Sequence, residues 1–273
     1  MNNQLKIKSL LLSISSLIVF VLVFILLSQI KHLIPEKFER YTHGILGTIA
    51  SLATVWLFLK YEKSTFKEYG LEWKKSTMKK FAIGLAIGAV ICMIMLFTQV
   101  LYSGLEVRIS DKQNITSFLI WSPAIIILAF MEEVAFRSYA FIKLDRVFGF
   151  RTTQIIIAIL FALYHVLNGW TIGQSFIGPG ILALVFGLSA KVSAGISMPT
   201  GLHSGVNLIL ALFVGKKNIE SIWTIDFPTE VSESVLKANE NFGIGIQLCL
   251  LILCVIATEL YLKRIKTTAN RVE

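Results

Sequence analysis

Two adjacent carboxylates and an arginine stand out because they occur beside a long apolar stretch. Glu132, Glu133 and Arg137 follow the mostly apolar run Ile115–Phe130. Each charge at the centre of a membrane helix costs roughly 2.5–3.5 kcal/mol on insertion scales, so three together need partners or a use. On a helix, Glu133 and Arg137 share a face, whereas Glu132 is turned about 100° away. The simplest interpretation is that Arg137 neutralises Glu133 and leaves Glu132 free for chemistry. A purely structural ion pair between helices is the alternative.

Histidine and asparagine residues recur in two later apolar segments. Phe161 and His165 are four residues apart, as are His203 and Asn207, so each pair can share one helical face. A single histidine in a membrane span is more often a hydrogen-bonded packing residue than a catalyst. Counted at 1.5 Å per residue from the cytoplasmic ends of their segments, Glu132, His165 and His203 all lie roughly 15–18 Å deep. We therefore expect these side chains to converge on one water-accessible cavity, with Asn207 one turn from His203.

The chemistry that such a set supports is the activation of water. A carboxylate in a low-dielectric pocket can act as a general base near neutral pH. A histidine can orient the water or protonate a leaving amine, and a second histidine with an amide can donate hydrogen bonds to a developing oxyanion. Together these roles describe hydrolysis of an amide bond within the bilayer.

The composition is that of a polytopic membrane protein. The 273 residues are 55% hydrophobic and 16% charged, with a mean hydropathy of +0.72, which is too apolar for an ordinary soluble domain. The net charge is +9, but the basic residues are confined to particular loops, which favours a membrane interpretation over nucleic-acid binding. Cys92, Cys249 and Cys254 all fall in apolar runs and show neither metal-ligand spacing nor a disulfide framework.

The elements that must position these residues are membrane helices. Residues 1–273 are predicted to form one all-α domain, a bundle of about eight transmembrane helices, with the motifs in residues 115–212. The first apolar run is too long for a signal peptide and is predicted to be a retained helix. The fifth and sixth spans are short and carry polar residues, which fits helices packed inside the bundle. The predicted spans are Ser9–Ile30, Gly44–Leu59, Phe81–Tyr102, Ile115–Phe136, Thr153–Leu167, Phe176–Ala190, Ile196–Val214 and Phe242–Leu262.

The distribution of basic residues predicts the orientation. With the N-terminus inside, the inner segments hold 17 of the 26 lysines and arginines, the outer segments hold eight, and Arg137 lies within the membrane. This bias predicts that both termini are cytoplasmic, in the plasma membrane. The inner loop Tyr61–Lys80 is basic and aromatic; it is either an interfacial segment on the anionic leaflet or a solvated connector. The outer loop Lys216–Asn241 is either a lid or a simple connection.

The ordered set Glu-Glu-x-x-x-Arg, Phe-x-x-x-His and His-x-x-x-Asn resembles the CPBP family of CAAX proteases and bacteriocin-processing enzymes, also called the Abi family. The resemblance covers roughly Ile115–Leu212. It implies a helical membrane bundle with endopeptidase activity on a membrane-associated peptide or protein in the lipid bilayer, and no nucleic-acid partner. It implies that the residue matching Glu132 activates water with help from that matching His165, and that His203 and Asn207 form an oxyanion site. Glu133, Arg137 and Phe161 match supporting positions.

Metal dependence and substrate stay open at this point. Glu132, His165 and His203 could supply the three protein ligands of a catalytic zinc site. The absence of His-Glu-x-x-His and the poor ligand quality of Asn207 favour a metal-free mechanism. The resemblance allows prenylated C-terminal motifs, bacteriocin or pheromone leaders, or membrane regulators as substrates. A catalytically silent immunity factor, scaffold or regulator is the alternative function. A proton-coupled transporter is a third possibility, although no repeat is visible.

Overall fold

The computed structural model describes residues 3–216 and 218–269. Eight helical segments within these residues are long and apolar enough to cross a membrane, which confirms the predicted all-α bundle. Each predicted span lies inside one of them, except that the seventh helix starts one residue later than predicted. The segments are Asn3–Leu33, Glu36–Glu62, Thr77–Ser103, Ile115–Phe148, Phe150–Leu167, Ile172–Ser193, Ser197–Val214 and Glu233–Thr268.

Eleven α-helices and two strands make up these segments and their connections. Short 3₁₀ turns cover Gln29–Leu33, Glu36–Phe38 and Lys67–Tyr69, and a π-helical turn covers Phe176–Gly180. The helices are α1 (Asn3–Ser28), α2 (Glu39–Glu62), α3 (Thr77–Ser103), α4 (Ile115–Trp121), α5 (Pro123–Arg137), α6 (Tyr139–Phe148), α7 (Phe150–Leu167), α8 (Ile172–Ser175), α9 (Ile181–Ser193), α10 (Ser197–Val214) and α11 (Glu233–Ala269); the strands are β1 (Glu106–Ile109) and β2 (Trp223–Asp226).

The segment with the glutamates is not one straight helix. The Asn114 side chain accepts a hydrogen bond from the Ser117 N–H at 2.8 Å and caps α4. Pro123 then occupies the first turn of α5, where its missing N–H costs nothing. Ser138 leaves the helical region at φ −95° and ψ −104°, so α5 ends directly after Arg137. The predicted span Ile115–Phe136 is therefore divided, and the charged motif occupies the last turns of its central helix.

Helices α3 and α10 pack backbone against backbone. A Cβ atom added at Gly84 or Gly88 of α3 would lie 2.1 or 2.0 Å from a carbonyl oxygen of α10. Added at Gly201 or Gly205 of α10, it would lie 2.0 or 2.2 Å from a carbonyl oxygen of α3. Gly201 and Gly205, four residues apart on α10, thus let this helix approach α3 closely.

The two long loops are more structured than the sequence indicates. β1 pairs antiparallel with β2, which joins the α3–α4 connection to the α10–α11 connection. Within the predicted outer loop Lys216–Asn241, residues 223–226 form β2 and residues from Glu233 onward already belong to α11. Residues 233–241 are polar, so hydropathy marks only the apolar part of α11 and misses its start.

The inner loop Tyr61–Lys80 packs on the bundle. Tyr69 is 2% exposed, and its ring stacks on that of Tyr139 at 5.2 Å between centroids. The Glu62 carboxylate accepts hydrogen bonds from the hydroxyls of Tyr69 and Tyr139, and Lys143 pairs with it at 2.5 Å. Burial, with the adjacent Glu62 carboxylate, raises the pKa of Tyr69 to about 12. These contacts fix the loop as an ordered connector at the inner end of α2.

Candidate active site

The ion pair Glu133–Arg137 forms the buried base of the site. Both side chains are fully buried, with Nε of Arg137 3.3 Å from Oε2 of Glu133. Arg137 also donates from Nη2 to the carbonyl oxygen of Ala183 at 3.3 Å and lies 4.4 Å from the ring centroid of Phe161. The pair follows the four-residue spacing that the sequence predicts, and Arg137 additionally links α5 to α9.

His203 lies between the two glutamates. Its Nδ1 is 2.9 Å from Oε1 of Glu133, and its Nε2 is 3.7 Å from Oε2 of Glu132. The ring stacks on Phe186 with centroids 4.5 Å apart and an interplanar angle of 18°. The sequence predicts that His203 and Glu132 lie at a similar depth in the membrane. It does not predict that His203 contacts both carboxylates. These contacts fix the imidazole in position and orientation.

Glu132 has a different environment from its neighbour Glu133. Its side chain keeps 15% of its surface exposed, whereas that of Glu133 keeps none. Within the part of the chain that the structure describes, Oε2 of Glu132 is buried without a hydrogen-bond partner. Oε2 of Glu133 also lacks a hydrogen bond, but it lies 3.3 Å from Nε of Arg137. The adjacent carboxylates are thus divided between a group enclosed in an ion pair and a group at the cavity wall with remaining acceptor capacity. A buried acceptor of this kind is a feature of sites that bind water or substrate.

His165 has a defined tautomer in its neutral form. Its Nδ1 is 2.9 Å from the Phe161 carbonyl oxygen, which can only accept a hydrogen bond. Nδ1 therefore carries the proton, and Nε2 is left as an acceptor. The ring of Trp170 packs edge-on against the imidazole at 5.5 Å between centroids. Both contacts hold the ring at the end of α7.

One cavity of about 340 Å³ joins the predicted residues. Glu132, His165, His203 and Asn207 all line it, so the structure brings together the four side chains that the sequence singles out. Phe161 and Glu133 lie behind this wall and contact His165 and His203, and Arg137 pairs with Glu133. The complete lining is Arg40, His43, Ile125, Leu128, Ala129, Glu132, Tyr164, His165, Asn168, Trp170, His203, Asn207 and Lys216.

Six polar or aromatic lining residues were not expected from the sequence. Asn168 and Trp170 lie three and five residues after His165, and this closeness in sequence is the one signal that could have placed them in the cavity. Arg40 and Lys216 resemble ordinary loop charges, and nothing in their spacing shows that they lie in the cavity. Burial lowers the pKa of Lys216 below that of an ordinary lysine, and the nearby Arg40 charge lowers it further. The other two unexpected residues are His43 and Tyr164.

The arrangement does not fit a three-ligand metal site. Among residues 3–216 and 218–269, no group of three or more His, Cys, Asp and Glu side chains is placed to hold a metal ion. The set Glu132, His165 and His203, expected as the ligands if a metal takes part, is therefore not assembled as the three ligands that catalytic zinc requires.

A second, larger cavity of about 790 Å³ lies elsewhere in the bundle. It is mainly apolar and is lined by residues of α2, α3, α5 and α10 together with the inner loop, among them Ile49, Trp73, Ile127 and Thr200. Glu132, His165, His203 and Asn207 do not line it. The four side chains predicted to carry the chemistry therefore line the smaller cavity and not the larger one.

Comparison with known protein families matches part of the chain. Residues 114–209 match the family model described as "Type II CAAX prenyl endopeptidase Rce1-like". These residues run from the cap of α4 into α10 and include Glu132, Glu133, His165, His203 and Asn207. No curated protein matches the chain.

Proposed function

Because residues 114–209 form a domain of the CPBP family, a family of proteases, we propose that this integral membrane protein is an intramembrane endopeptidase that uses Glu132 to activate water. The observation that carries the proposal is the single cavity lined by Glu132, His165, His203 and Asn207. Its substrate is a membrane-associated peptide or protein. We place the protein in the plasma membrane with both termini in the cytoplasm.

The proposed first step is addition of water to the scissile carbonyl. The Glu132 carboxylate takes a proton from water as the water oxygen bonds to the carbonyl carbon. Nε2 of His165 accepts a hydrogen bond from the same water and orients it. This role is supported by the Nδ1 contact with the Phe161 carbonyl, which leaves Nε2 as the acceptor. Collapse of the tetrahedral intermediate then breaks the C–N bond, and the proton held by Glu132 passes to the leaving amine.

His203 and Asn207 are proposed to stabilise the oxyanion. Nδ1 of His203 faces the Glu133 carboxylate, so Nε2 can also donate only when the ring is the imidazolium cation. The positive charge of the imidazolium would then be balanced by the Glu132 carboxylate, while Arg137 balances the Glu133 carboxylate. Asn207 lies one helical turn further along α10 and supplies amide donors. Two fixed hydrogen-bond donors in a site shielded from bulk water stabilise the negative charge that develops on the carbonyl oxygen in the transition state.

The proposal is tested by Glu132→Gln. This change keeps the size of the side chain and removes the base, so we expect peptide release to collapse while the protein accumulates and melts as the parent does. The readout is a comparison of peptides released by cells that carry the parent or the variant. Glu259→Gln is the matched control, since this glutamate of α11 makes a half-exposed ion pair with Arg151 of α7. Full release by Glu132→Gln would assign the domain to a scaffold or regulatory role.

A second prediction concerns the oxyanion site. Asn207→Ala should lower kcat by roughly 10²–10³, equivalent to about 2.7–4 kcal/mol of lost transition-state stabilisation. KM should change little, because the amide acts on the charge that forms during reaction. The measurement is steady-state cleavage of a peptide identified by the release experiment. An unchanged kcat would remove Asn207 from the mechanism and leave it as a lining residue.

A further inference from the structure

The lining of the small cavity reaches one face of the bundle. Its lining residues progress from Glu132 and His203 in mid-helix to Arg40 near the start of α2, and to Trp170 and Lys216 just beyond the ends of α7 and α10. The chain alternates direction through the membrane, so the start of α2 and the ends of α7 and α10 lie on the same side. The β1–β2 pair lies on this side too, because its strands connect the same helix ends.

The opposite face carries both ends of the described chain and a set of polar contacts. α1 begins and α11 ends there, together with the ordered loop Tyr61–Lys80. Lys143 pairs with Glu62, Lys191 pairs with Asp145 at 2.5 Å, and Lys80 donates to the Ser193 carbonyl at 2.6 Å. The residues that line the cavity include none of these. The site is therefore reached from the face away from the termini.

The distribution of lysines and arginines indicates which of these two faces lies on the cytoplasmic side of the membrane. Among residues 3–216 and 218–269, the face with the chain ends and the loop Tyr61–Lys80 carries 16 lysines and arginines, and the cavity face carries seven. An excess of lysine and arginine in loops marks the cytoplasmic side. We infer that the active-site cavity opens to the extracytoplasmic side, so its substrate is an exported peptide or the external part of a membrane protein, and not a cytosolic C-terminus. This inference rests on the proposed function.

The depth of the site limits what can reach it. Glu132 lies nine residues beyond Pro123, the residue that starts α5, which places it about 14 Å below the outer end of that helix. An extended peptide rises roughly 3.3–3.6 Å per residue, so about four residues must enter the cavity before a bond meets Glu132. Arg40 and Lys216 line the entrance and would favour an acidic or free carboxylate group there. A flexible, exported tail satisfies these conditions.

Sidedness can be measured without any substrate. Trp170→Cys, made in a Cys249→Ser background because Cys249 is the exposed native thiol, would be treated with an anionic, membrane-impermeant methanethiosulfonate. We expect labelling in right-side-out vesicles and only background labelling in inverted ones. Lys75→Cys on the inner loop should show the reverse pattern. If Trp170→Cys disturbs folding, Asn168→Cys lines the same cavity and replaces it.

Labelling of Trp170→Cys from inverted vesicles alone would overturn the inference, and so would labelling of Lys75→Cys from the outside. Neither result depends on catalysis, so a failure of the proposed function is recognised separately by full peptide release from Glu132→Gln.

Discussion

At the scale of single residues, the division between Glu132 and Glu133 follows from helix geometry. The 100° between consecutive residues turns Glu133 toward Arg137 and the interior, and it leaves Glu132 at the cavity wall. The pairing of Glu133 with Arg137, and the different direction of Glu132, are predictable from the four-residue spacing. The position of His203 between both carboxylates was not predictable, because sequence gives depth along a helix but not the rotation of one helix relative to another.

We predict that Arg137→Ala lowers the free energy of unfolding by roughly 3–5 kcal/mol, because it leaves the fully buried Glu133 without its counter-charge. The variant should accumulate poorly in membranes and melt earlier in detergent. Arg151→Ala is the control: its ion pair with Glu259 is about half exposed, at 58% and 49%, and should contribute little to stability. Equal melting of both variants and the parent would refute the structural role of Arg137.

At the scale of secondary-structure elements, the contact between α3 and α10 sets where His203 and Asn207 lie. Both residues are on α10, and Gly201 and Gly205 of the same helix touch carbonyl oxygens of α3. Small residues at four-residue spacing permit such close approach in membranes. The geometry of the proposed oxyanion site therefore depends on a helix, α3, that contributes no residue to the cavity lining.

Gly205→Ala should be destabilising and should impair activity. The added Cβ would lie 2.2 Å from the Leu85 carbonyl oxygen, so α10 must shift; overpacking of this kind costs roughly 1–3 kcal/mol. Gly245→Ala on α11 is the matched control, since no atom lies within 4 Å of its added Cβ. The measurements are thermal melting and peptide release. Parent-like behaviour of Gly205→Ala would show that the two helices can separate without cost.

Sequence predicts the elements better than their interruptions. All eight spans are found because hydropathy over about 20 residues is a strong signal. The break at Ser138, the β1–β2 pair and the polar start of α11 were missed. Each depends on local geometry or on pairing between distant loops, and neither of these changes average hydropathy.

At the scale of the whole molecule, the even number of candidate spans puts both ends of the described chain on one side, and the charge bias predicts that this side is cytoplasmic. We predict that a fluorescent protein fused to the C-terminus fluoresces, and that alkaline phosphatase fused at the same point is inactive, because this enzyme matures only after export. A fusion within the α3–α4 connection, at Asp111, should give the opposite pair of results. An active C-terminal phosphatase fusion would reverse the orientation.

On the proposed mechanism, the size of the cavity around Glu132 limits the conformation in which a substrate can be cut. A cavity of about 340 Å³ is far smaller than a membrane helix, which is about 10–12 Å across and about 30 Å long. A substrate that arrives as an intact membrane helix cannot bring its scissile bond to Glu132. It must first unwind locally, and its backbone N–H and C=O groups must find new partners as it does so. Glycine or proline near the cleavage site weakens a helix by about 1–3 kcal/mol. For a substrate that arrives as a helix, the stability of that helix, more than the identity of the side chains at the cut, should therefore set the rate of proteolysis.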